Sequence, residues 1–253
     1  RLHPGWAAHS GFIAAELARN GFLGPSTVIE GKSGFAHSYS YDVDLLLLDG
    51  DFSYEDNAIL RSSIKPHACC RYKQGPLDLI LNIVRTHDLK PEDVQKVKVY
   101  LVKTAMPIVC DPADKKKNPT SGVDAQFSMP FGAAVAILYR NTLLEQYADE
   151  VTQRPEVKAM MAKVECYHDA ELDKEFPKKW PARVVIESAK GTFEAKVDFP
   201  KGDPENPLTW DELIDKFNYV TAPVYSKEQQ QEIVQAVRNL ENLSNIQELA
   251  KLL

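Results

Sequence analysis

The sequence lacks any apolar run long enough to cross a membrane. Its longest uninterrupted leucine stretch, Leu45-Leu46-Leu47-Leu48, is far shorter than the roughly 18 residues that a transmembrane helix requires. No segment has the basic, apolar and small-residue regions of a secretory signal peptide. We therefore expect a protein that does not enter the membrane.

Cysteine is scarce and unfavourably spaced for a structural role. Cys69 and Cys70 are adjacent, Cys110 and Cys166 lie far along the chain, and no Cys-x-x-Cys pair occurs. Adjacent cysteines are poorly placed to bridge each other, and a structural zinc site usually shows closely spaced ligand pairs. The pattern predicts no disulfide framework, no metal and a reducing, cytoplasmic compartment.

Positive charge is also in short supply. The formal net charge is -6, and the only basic triplet, Lys115-Lys116-Lys117, follows closely after Asp111 and Asp114. Nucleic-acid binding is usually driven by clustered Lys and Arg that neutralise phosphates. We expect this triplet to be a solvated loop and the protein not to bind nucleic acid.

Helical patterns occupy the beginning of the chain and part of its middle. Residues 7–20 are rich in alanine and other small or apolar residues, which predicts a well-buried helix with close neighbours, ended by Gly21. Ser26 is placed to cap a short helix. Residues 77–87 form an amphipathic pattern, and residues 124–141 form another, interrupted by a proline that must start or kink the helix.

Strand patterns occur only in the middle of the chain. Residues 97–102 alternate apolar and polar side chains, and residues 183–188 and 192–199 flank Lys190-Gly191 as a predicted hairpin. A loop at residues 200–207 precedes a second helical region. The succession of helices, mixed segment and helices predicts an α+β fold, not a doubly wound sheet.

Capping signals predict two helices near the end of the chain. Thr209 is followed by Glu212, the spacing of a capping box, and Ser226 is followed by a glutamine at the same distance.

The residues from Lys65 to Tyr72, hereafter the 65–72 segment, carry the most chemistry. Within eight positions the chain offers an amine, an imidazole, two thiols, a guanidinium and a phenol. Fixed cations beside a group that can exchange a proton suit a site that binds a multiply charged acid. The alternative is a helix start with its cations in solvent and its cysteines in the core.

Four stretches together resemble the carboxyl-terminal half of the MmgE/PrpD family. They are residues 2–11 (LHPGWAAHSG), the 65–72 segment (KPHACCRY), residues 125–131 (AQFSMPF) and residues 202–210 (GDPENPLTW). Their order and spacing make the resemblance specific, and it extends over essentially the whole chain.

The resemblance implies an enzyme that acts on small di- and tricarboxylic acids without a metal or organic cofactor. Activities in the family include 2-methylcitrate dehydratase, cis-aconitate decarboxylase and iminodisuccinate epimerase. The leading expectation is a 2-methylcitrate dehydratase-like hydro-lyase, with the other two reactions as alternatives. A different alternative is a non-catalytic subunit that completes a site with a separate chain.

The resemblance also implies a division into domains. A large helical domain is built from both ends of the family's chains, and a smaller α+β lid lies between them in sequence. Applied to this chain, residues 1–62 and 201–253 belong to the helical domain and residues 63–200 to the lid.

Candidate site residues follow from the resemblance and from side-chain chemistry. Lys65 matches a family lysine and is expected to anchor substrate or donate a proton. Arg71 can grip a carboxylate with two hydrogen bonds or form an internal salt bridge. His67 is a candidate acid or base, or a packed histidine. Cys70 stands where some relatives carry histidine, so it is a candidate pocket residue.

Three further residues complete the prediction. His3 belongs to a family motif at the domain junction and is a candidate substrate contact. Many relatives have tyrosine after the proline of the Phe-Ser-x-Pro motif, where this chain has Phe131. Because phenylalanine cannot donate a proton, Tyr72 is the candidate replacement.

The resemblance implies partners as well. Family members contain an amino-terminal helical half that supplies other site residues, so the expected partner is that half, in the same or a separate chain. The expected ligand is a small polycarboxylate, and the expected assembly is a homodimer.

Overall fold

The computed structural model describes residues 2–48 and 57–253. The chain divides into two compact units, Arg1–Asn57 and Ala58–Leu253. The first is helical and the second contains the sheet. No helix of the described residues is both long enough and apolar enough to span a bilayer.

The first unit is built around one long helix. This helix, α1, covers His3–Arg19, and Gly21 ends it with a φ of +87°, a conformation that glycine adopts without steric cost. The prediction that this helix is well buried was wrong, because no residue of α1 is buried in the described structure. A Cβ atom placed on Gly5 or Gly11 meets nothing within 4 Å, so the small residues have no close neighbour there.

The prediction of a short helix after Ser26 was also wrong. Residues 26–30 form turns, and the next helix, α2, begins only at Phe35 and ends at Tyr39. Gly31 N donates to Thr27 O at 3.0 Å, but the carbonyls of Val28 and Ile29 accept from Phe35 N and Ala36 N, seven residues further on, so no regular helix forms. A 3₁₀ turn, Leu45–Leu48, follows.

A four-stranded mixed sheet forms the centre of the second unit. The strands are β1 (Val94–Leu101), β2 (Val164–His168), β3 (Ala182–Ser188) and β4 (Gly191–Val197). Their order is β2-β1-β3-β4, with β1 and β2 parallel and the other pairs antiparallel. The predicted α+β class and the predicted hairpin are both confirmed.

The alternation of side chains along β1 explains why it forms a strand. Val97, Val99 and Leu101 are buried on one face, while Lys96 and Lys98 point to the other. There they pair with glutamates of β2 and β3 at 2.9 and 2.5 Å. One face therefore joins the core and the other is polar, as expected of a half-buried sheet.

Helices cover the buried face of the sheet. The main ones are α3 (Gln74–Thr86), α6 (Met129–Tyr139) and α8 (Pro155–Ala162), which pack on one another and on the strands. Ser128 caps α6 by accepting a hydrogen bond from Phe131 N at 3.1 Å. The interrupting proline lies in the first turn of α6, where it breaks no helical hydrogen bond, as predicted.

The two helices predicted from capping signals are confirmed. They are α10 (Trp210–Thr221), with the full capping box, and α11 (Lys227–Arg238), capped by Ser226. The remaining helices are short: α4 (Ala113–Lys116), α5 (Gly122–Gln126), α7 (Asp149–Thr152), α9 (Ala170–Asp173) and α12 (Gln247–Ala250). Single 3₁₀ or π turns cover Ala58–Arg61, Arg71–Lys73, Pro91–Asp93, Lys103–Ala105, Met106–Cys110, Leu144–Tyr147 and Leu240–Asn242.

Candidate functional site

The buried side chain of Gln74 shapes the 65–72 segment. Gln74 is the first residue of α3, and its carbonyl oxygen accepts a hydrogen bond from His67 N at 3.1 Å. Its amide nitrogen donates to the backbone oxygens of His67 and Cys69, both at 3.2 Å. One glutamine thus satisfies three backbone groups of a segment that has no regular structure of its own.

His67 is held on both sides of its ring. Nε2 lies 2.8 Å from Asp78 Oδ1, and Nδ1 lies 2.6 Å from Thr142 Oγ1. Because a carboxylate only accepts, Nε2–H donates a hydrogen bond to Asp78, and Nδ1 of the neutral ring then accepts one from the Thr142 hydroxyl. Asp78 is itself fixed by the backbone N–H of Lys201 at 2.8 Å.

The His67 side chain borders a cavity of about 610 Å³. This volume lies within the range of small-molecule sites. The lining includes both signs of charge and several neutral polar groups, among them Asn82, Arg85, Thr142, Lys201, Glu212 and Lys216. Lys201 is paired with Glu212 at 3.0 Å, so these two charges compensate each other.

Two lysines, Lys216 in the lining of this cavity and Lys65 next to the lining residue Pro66, have no carboxylate partner among the described residues. Lys216 Nζ donates to Lys65 O at 2.7 Å, and Lys65 Nζ donates to Cys69 O at 3.3 Å. Burial, and then the charge of Lys65, lower the pKa of Lys216. Neither ammonium forms an ion pair within residues 2–48 and 57–253. An incoming carboxylate would relieve this repulsion and supply the missing hydrogen-bond acceptors.

Arg71 has a different environment. Its Nη2 donates to both carboxylate oxygens of Asp203, at 2.5 and 2.7 Å, and its guanidinium lies 4.7 Å from the centroid of the Trp180 ring. The Asp203 side chain is only 3% exposed. Arg71 therefore forms the internal salt bridge that the sequence left open as the alternative to substrate binding.

Tyr72 lies on the same side as Arg71. Its hydroxyl donates to Thr104 Oγ1 at 3.3 Å, and its ring packs 5.0 Å from that of Trp180. Arg71 and Tyr72 line a small cavity of about 10 Å³, which does not include His67. The 65–72 segment thus presents its predicted site residues on two sides and does not bring them all together.

The other three predicted residues lie in three further environments. Cys70 is half-buried and donates its backbone N–H to Gln126 O at 3.1 Å. Phe131 is completely buried and packs 5.5 Å from the ring of Tyr147, so it contributes to the core and not to a cavity. His3 begins α1 in the first unit, where it is exposed.

The turn at residues 200–203 supports both sides of the segment. Lys201 N binds Asp78, and Asp203 binds Arg71. Gly202 has a φ of +92°, and Ile64 N donates to its carbonyl at 2.8 Å. A Cβ atom there would lie 1.8 Å from Ile64 O, so both the conformation and the close approach require glycine.

Sequence reasoning missed several residues of this arrangement. Asp78 lies four positions after Gln74, on the polar side of an amphipathic helix, which was a weak local signal. Thr142 and Lys216 come from distant parts of the chain, and no local sequence signal indicated that they would join the site. Among the described residues, no three His, Cys, Asp or Glu side chains are grouped so that they could hold a metal ion.

Comparison with known proteins identifies the family. The C-terminal domain of the MmgE/PrpD family matches residues 67–242, which is more than half of the chain. This chain belongs to the MmgE/PrpD family. The resemblance predicted from the sequence is confirmed.

Curated relatives cover the whole chain. It is 25% identical to the cis-aconitate decarboxylase-like protein oryM of Aspergillus oryzae and 26% identical to the cis-aconitate decarboxylase of Aspergillus terreus, and it covers 54% of each. It is 24% identical to the cis-aconitate decarboxylase of Homo sapiens and covers 52% of that protein. The chain thus spans about half the length of the curated relatives it matches.

Proposed function

We propose that this chain is the carboxyl-terminal part of a lyase that acts on small di- or tricarboxylic acids without a cofactor. The observation that carries the proposal is the ammonium group of Lys216 in the lining of the cavity that His67 borders, together with that of Lys65, whose carbonyl Lys216 contacts; neither has a carboxylate partner among the described residues. Such a pair suits the carboxylates of a multiply charged substrate. Family membership supports the lyase class.

The reaction class places definite demands on these residues. In a decarboxylation the carbon–carboxylate bond breaks, carbon dioxide leaves, and the electron pair stays on carbon until a proton is added. In a dehydration a base removes a proton from carbon, and an acid protonates the departing hydroxide. Both routes develop negative charge beside a carboxylate, which fixed cations stabilise.

His67 is the group in this chain best placed to move the proton. Asp78 orients the ring through Nε2, while Nδ1 contacts the Thr142 hydroxyl, which also lines the cavity. We propose that the proton passes between Nδ1 and the substrate by way of Thr142 Oγ1. The burial of Phe131 and the separate location of Tyr72 favour His67 over either aromatic residue.

Decarboxylation of cis-aconitate is the first specific reaction to test. Support comes from the names of the curated relatives, at 23–26% identity. Dehydration of 2-methylcitrate, the leading expectation from the sequence, is the second candidate, and epimerisation of iminodisuccinate is the third. The same cationic pair and the same histidine would serve each reaction.

We propose the amino-terminal half of the enzyme as the partner, in the same or a separate chain, and a homodimer as the assembly. Support comes from α1, where large apolar side chains such as Trp6 and Phe12 are 62% and 68% exposed. Exposed apolar surface of this kind is typical of an interface. In a split enzyme this chain would serve as the binding subunit.

A proton NMR assay in heavy water tests the proposal. The chain, alone and together with the amino-terminal half, is offered cis-aconitate, 2-methylcitrate and iminodisuccinate. Carbon dioxide loss, water loss or deuterium exchange at carbon names the reaction. Binding of an offered acid or of citrate, without any turnover by the combined halves, would favour the binding-subunit alternative. The absence of both binding and turnover would overturn the proposal.

A further inference from the structure

A third lysine lies directly behind the 65–72 segment. Lys73 is completely buried, and its Nζ donates to Ala125 O at 2.9 Å and to Gln126 O at 3.4 Å. The same ammonium lies 4.8 Å from the centroid of the Tyr147 ring. Gly132 makes room for it, because a Cβ atom there would lie 2.6 Å from Lys73 Cε.

The hydrogen bonds of Lys73 do not explain why a charge is buried here. Ala125 O already accepts from Ser128 N at 3.1 Å, and Gln126 O already accepts from Cys70 N at 3.1 Å. Both carbonyls would therefore keep a donor if the ammonium were removed. No carboxylate pairs with Lys73 in the described part of the chain. Burial of an unpaired cation costs stability and needs another reason.

The surroundings of Lys73 contain no acid that could offset its charge. Burial lowers the pKa of Lys73 to about 8, and the groups that act on it are the thiols of Cys69, Cys70 and Cys110 and the cation of Lys116. The Tyr147 hydroxyl interacts with the Cys69 thiol but has no hydrogen bond of ordinary geometry. At neutral pH most of the Lys73 population therefore carries an uncompensated positive charge.

Lys73 extends the cationic pair described above. Burial raises the pKa of the Cys69 thiol, and the charges of Lys73 and Lys65 both oppose this rise. Lys65 Nζ also donates a hydrogen bond to the Cys69 carbonyl. The charge of Lys65 in turn contributes to the lowered pKa of Lys216. Lys65 and Lys73 thus both act on Cys69, and Lys73 does so from a dry environment where its field is poorly screened.

We propose that Lys73 is a buried electrostatic residue that strengthens the binding of multiply charged carboxylates at Lys65 and Lys216 without touching them. This inference rests on the proposed function and deepens it. One carboxylate cannot neutralise three cations, so the site favours ligands with two or three ionised carboxylates over monocarboxylates. The role belongs to the charge of Lys73 and not to its length or its hydrogen bonds.

The test compares citrate and acetate binding by calorimetry at pH 7 in wild type, Lys73→Met and Lys73→Gln. Methionine keeps the length of the side chain, and glutamine keeps a donor for the carbonyls. Both variants should bind citrate about three- to tenfold more weakly, as expected when one partly screened charge is lost, with little change for acetate. Lys163→Met is the control, because the half-buried Lys163 likewise donates to a backbone carbonyl, Val94 O at 2.5 Å, but lies outside the cavity lining.

The pH dependence separates charge from structure. Above pH 8 wild-type Lys73 loses its proton, so the ratio of wild-type to Lys73→Met affinity for citrate should shrink towards one by pH 9.5. A purely structural effect of the substitution would persist at that pH. The pKa of Lys216 is also lowered, by burial and then by the charge of Lys65, but Lys216 is present in both proteins, so the comparison of the two affinities isolates the charge of Lys73.

The outcomes distinguish the two proposals. Equal citrate affinity in wild type and both Lys73 variants at pH 7 would overturn the role of Lys73 and leave the proposed function standing. A ratio that stays constant from pH 7 to 9.5 would also overturn it. Failure of the wild-type chain to bind citrate, alone and with its amino-terminal half, together with the absence of turnover in the NMR assay, would instead overturn the proposed function. Circular dichroism and thermal unfolding verify that each variant is folded, and the glutamine variant serves if methionine is not tolerated.

Discussion

The two sides of the 65–72 segment use cations in opposite ways. Arg71 meets a buried carboxylate, Asp203, and stacks near Trp180, so its charge is fully compensated inside the protein. Lys65, six residues earlier, has only a carbonyl partner and a second lysine nearby. The difference teaches that a conspicuous cation in the sequence is a ligand-binding candidate only where the fold leaves its charge uncompensated.

Removal of Arg71 should have the largest effect, on stability. Arg71→Ala leaves the Asp203 carboxylate buried without its partner, and we expect the free energy of unfolding to fall by about 3–5 kcal/mol. Urea denaturation of the chain measures this loss. Arg183→Ala is a suitable control, since its pairs with Asp169 and Glu194 are more exposed. A denaturation midpoint equal to that of wild type would mean that Asp203 does not depend on Arg71.

The burial of the Lys73 ammonium should be visible in the pH dependence of stability. The pKa of Lys73 is lowered from its ordinary value of 10.5 to about 8, so between these values the unfolded chain binds more protons than the folded one. The contribution of Lys73 to unfolding free energy therefore rises with pH, by up to about 3 kcal/mol from below pH 8 to above 10.5.

Because burial raises the pKa values of Cys69 and Tyr147 and opposes this trend at high pH, the comparison must be made as a difference. The unfolding free energy of wild type minus that of Lys73→Met, measured from pH 7 to 10, should increase with pH, because only wild type carries the group whose folded-state pKa is lowered. If the two plots of unfolding free energy against pH are parallel, Lys73 has the same pKa in the folded and unfolded states and is not desolvated by folding.

Replacement of His67 should have the next largest effect, on turnover. In the complete enzyme we expect His67→Gln to lower kcat by about 100-fold, the range typical of a lost acid–base group. Since His67 acts through Thr142 on the proposed proton route, KM should change little. Thr142→Val should show a comparable loss of kcat, and a Thr142→Ser variant should restore most of it. Wild-type turnover in Thr142→Val would remove the hydroxyl from the proton path.

Loss of Lys65 should have a smaller effect of the same kind. We expect Lys65→Ala in the complete protein to lower turnover by at least about tenfold with the fold intact, because one charged contact in the transition state is lost. Steady-state kinetics with circular dichroism measure both quantities. Lys103→Ala, an exposed lysine outside the cavity, should behave as wild type, and unchanged kinetics for Lys65→Ala would take Lys65 out of the site.

Much of the fold could be predicted because its signals are local. The caps of α10 and α11, the hairpin β3–β4 and the alternation along β1 all depend on residues within a few positions of one another. The strand β2, at Val164–His168, was missed. Only one of its five residues is fully buried, so its sequence shows little of the alternation that marks a strand.

The site could be predicted only in part, for a physical reason. Lys65, His67 and Arg71 were found by their chemistry, but their environments depend on residues far along the chain. Asp203 lies 132 positions after Arg71, and Lys216 lies 151 positions after Lys65. The sequence could therefore name the charged groups but could not tell which would be compensated.

The 200–203 turn has a consequence for how this protein can change over evolutionary time. Surface loops usually tolerate insertions and deletions. Here one backbone N–H orients the carboxylate behind His67, one side chain secures Arg71, and the glycine between them lies against Ile64. An inserted residue would displace both sides of the 65–72 segment at once. We expect the length of this turn to vary less among homologues than that of any neighbouring loop, even where substrates differ.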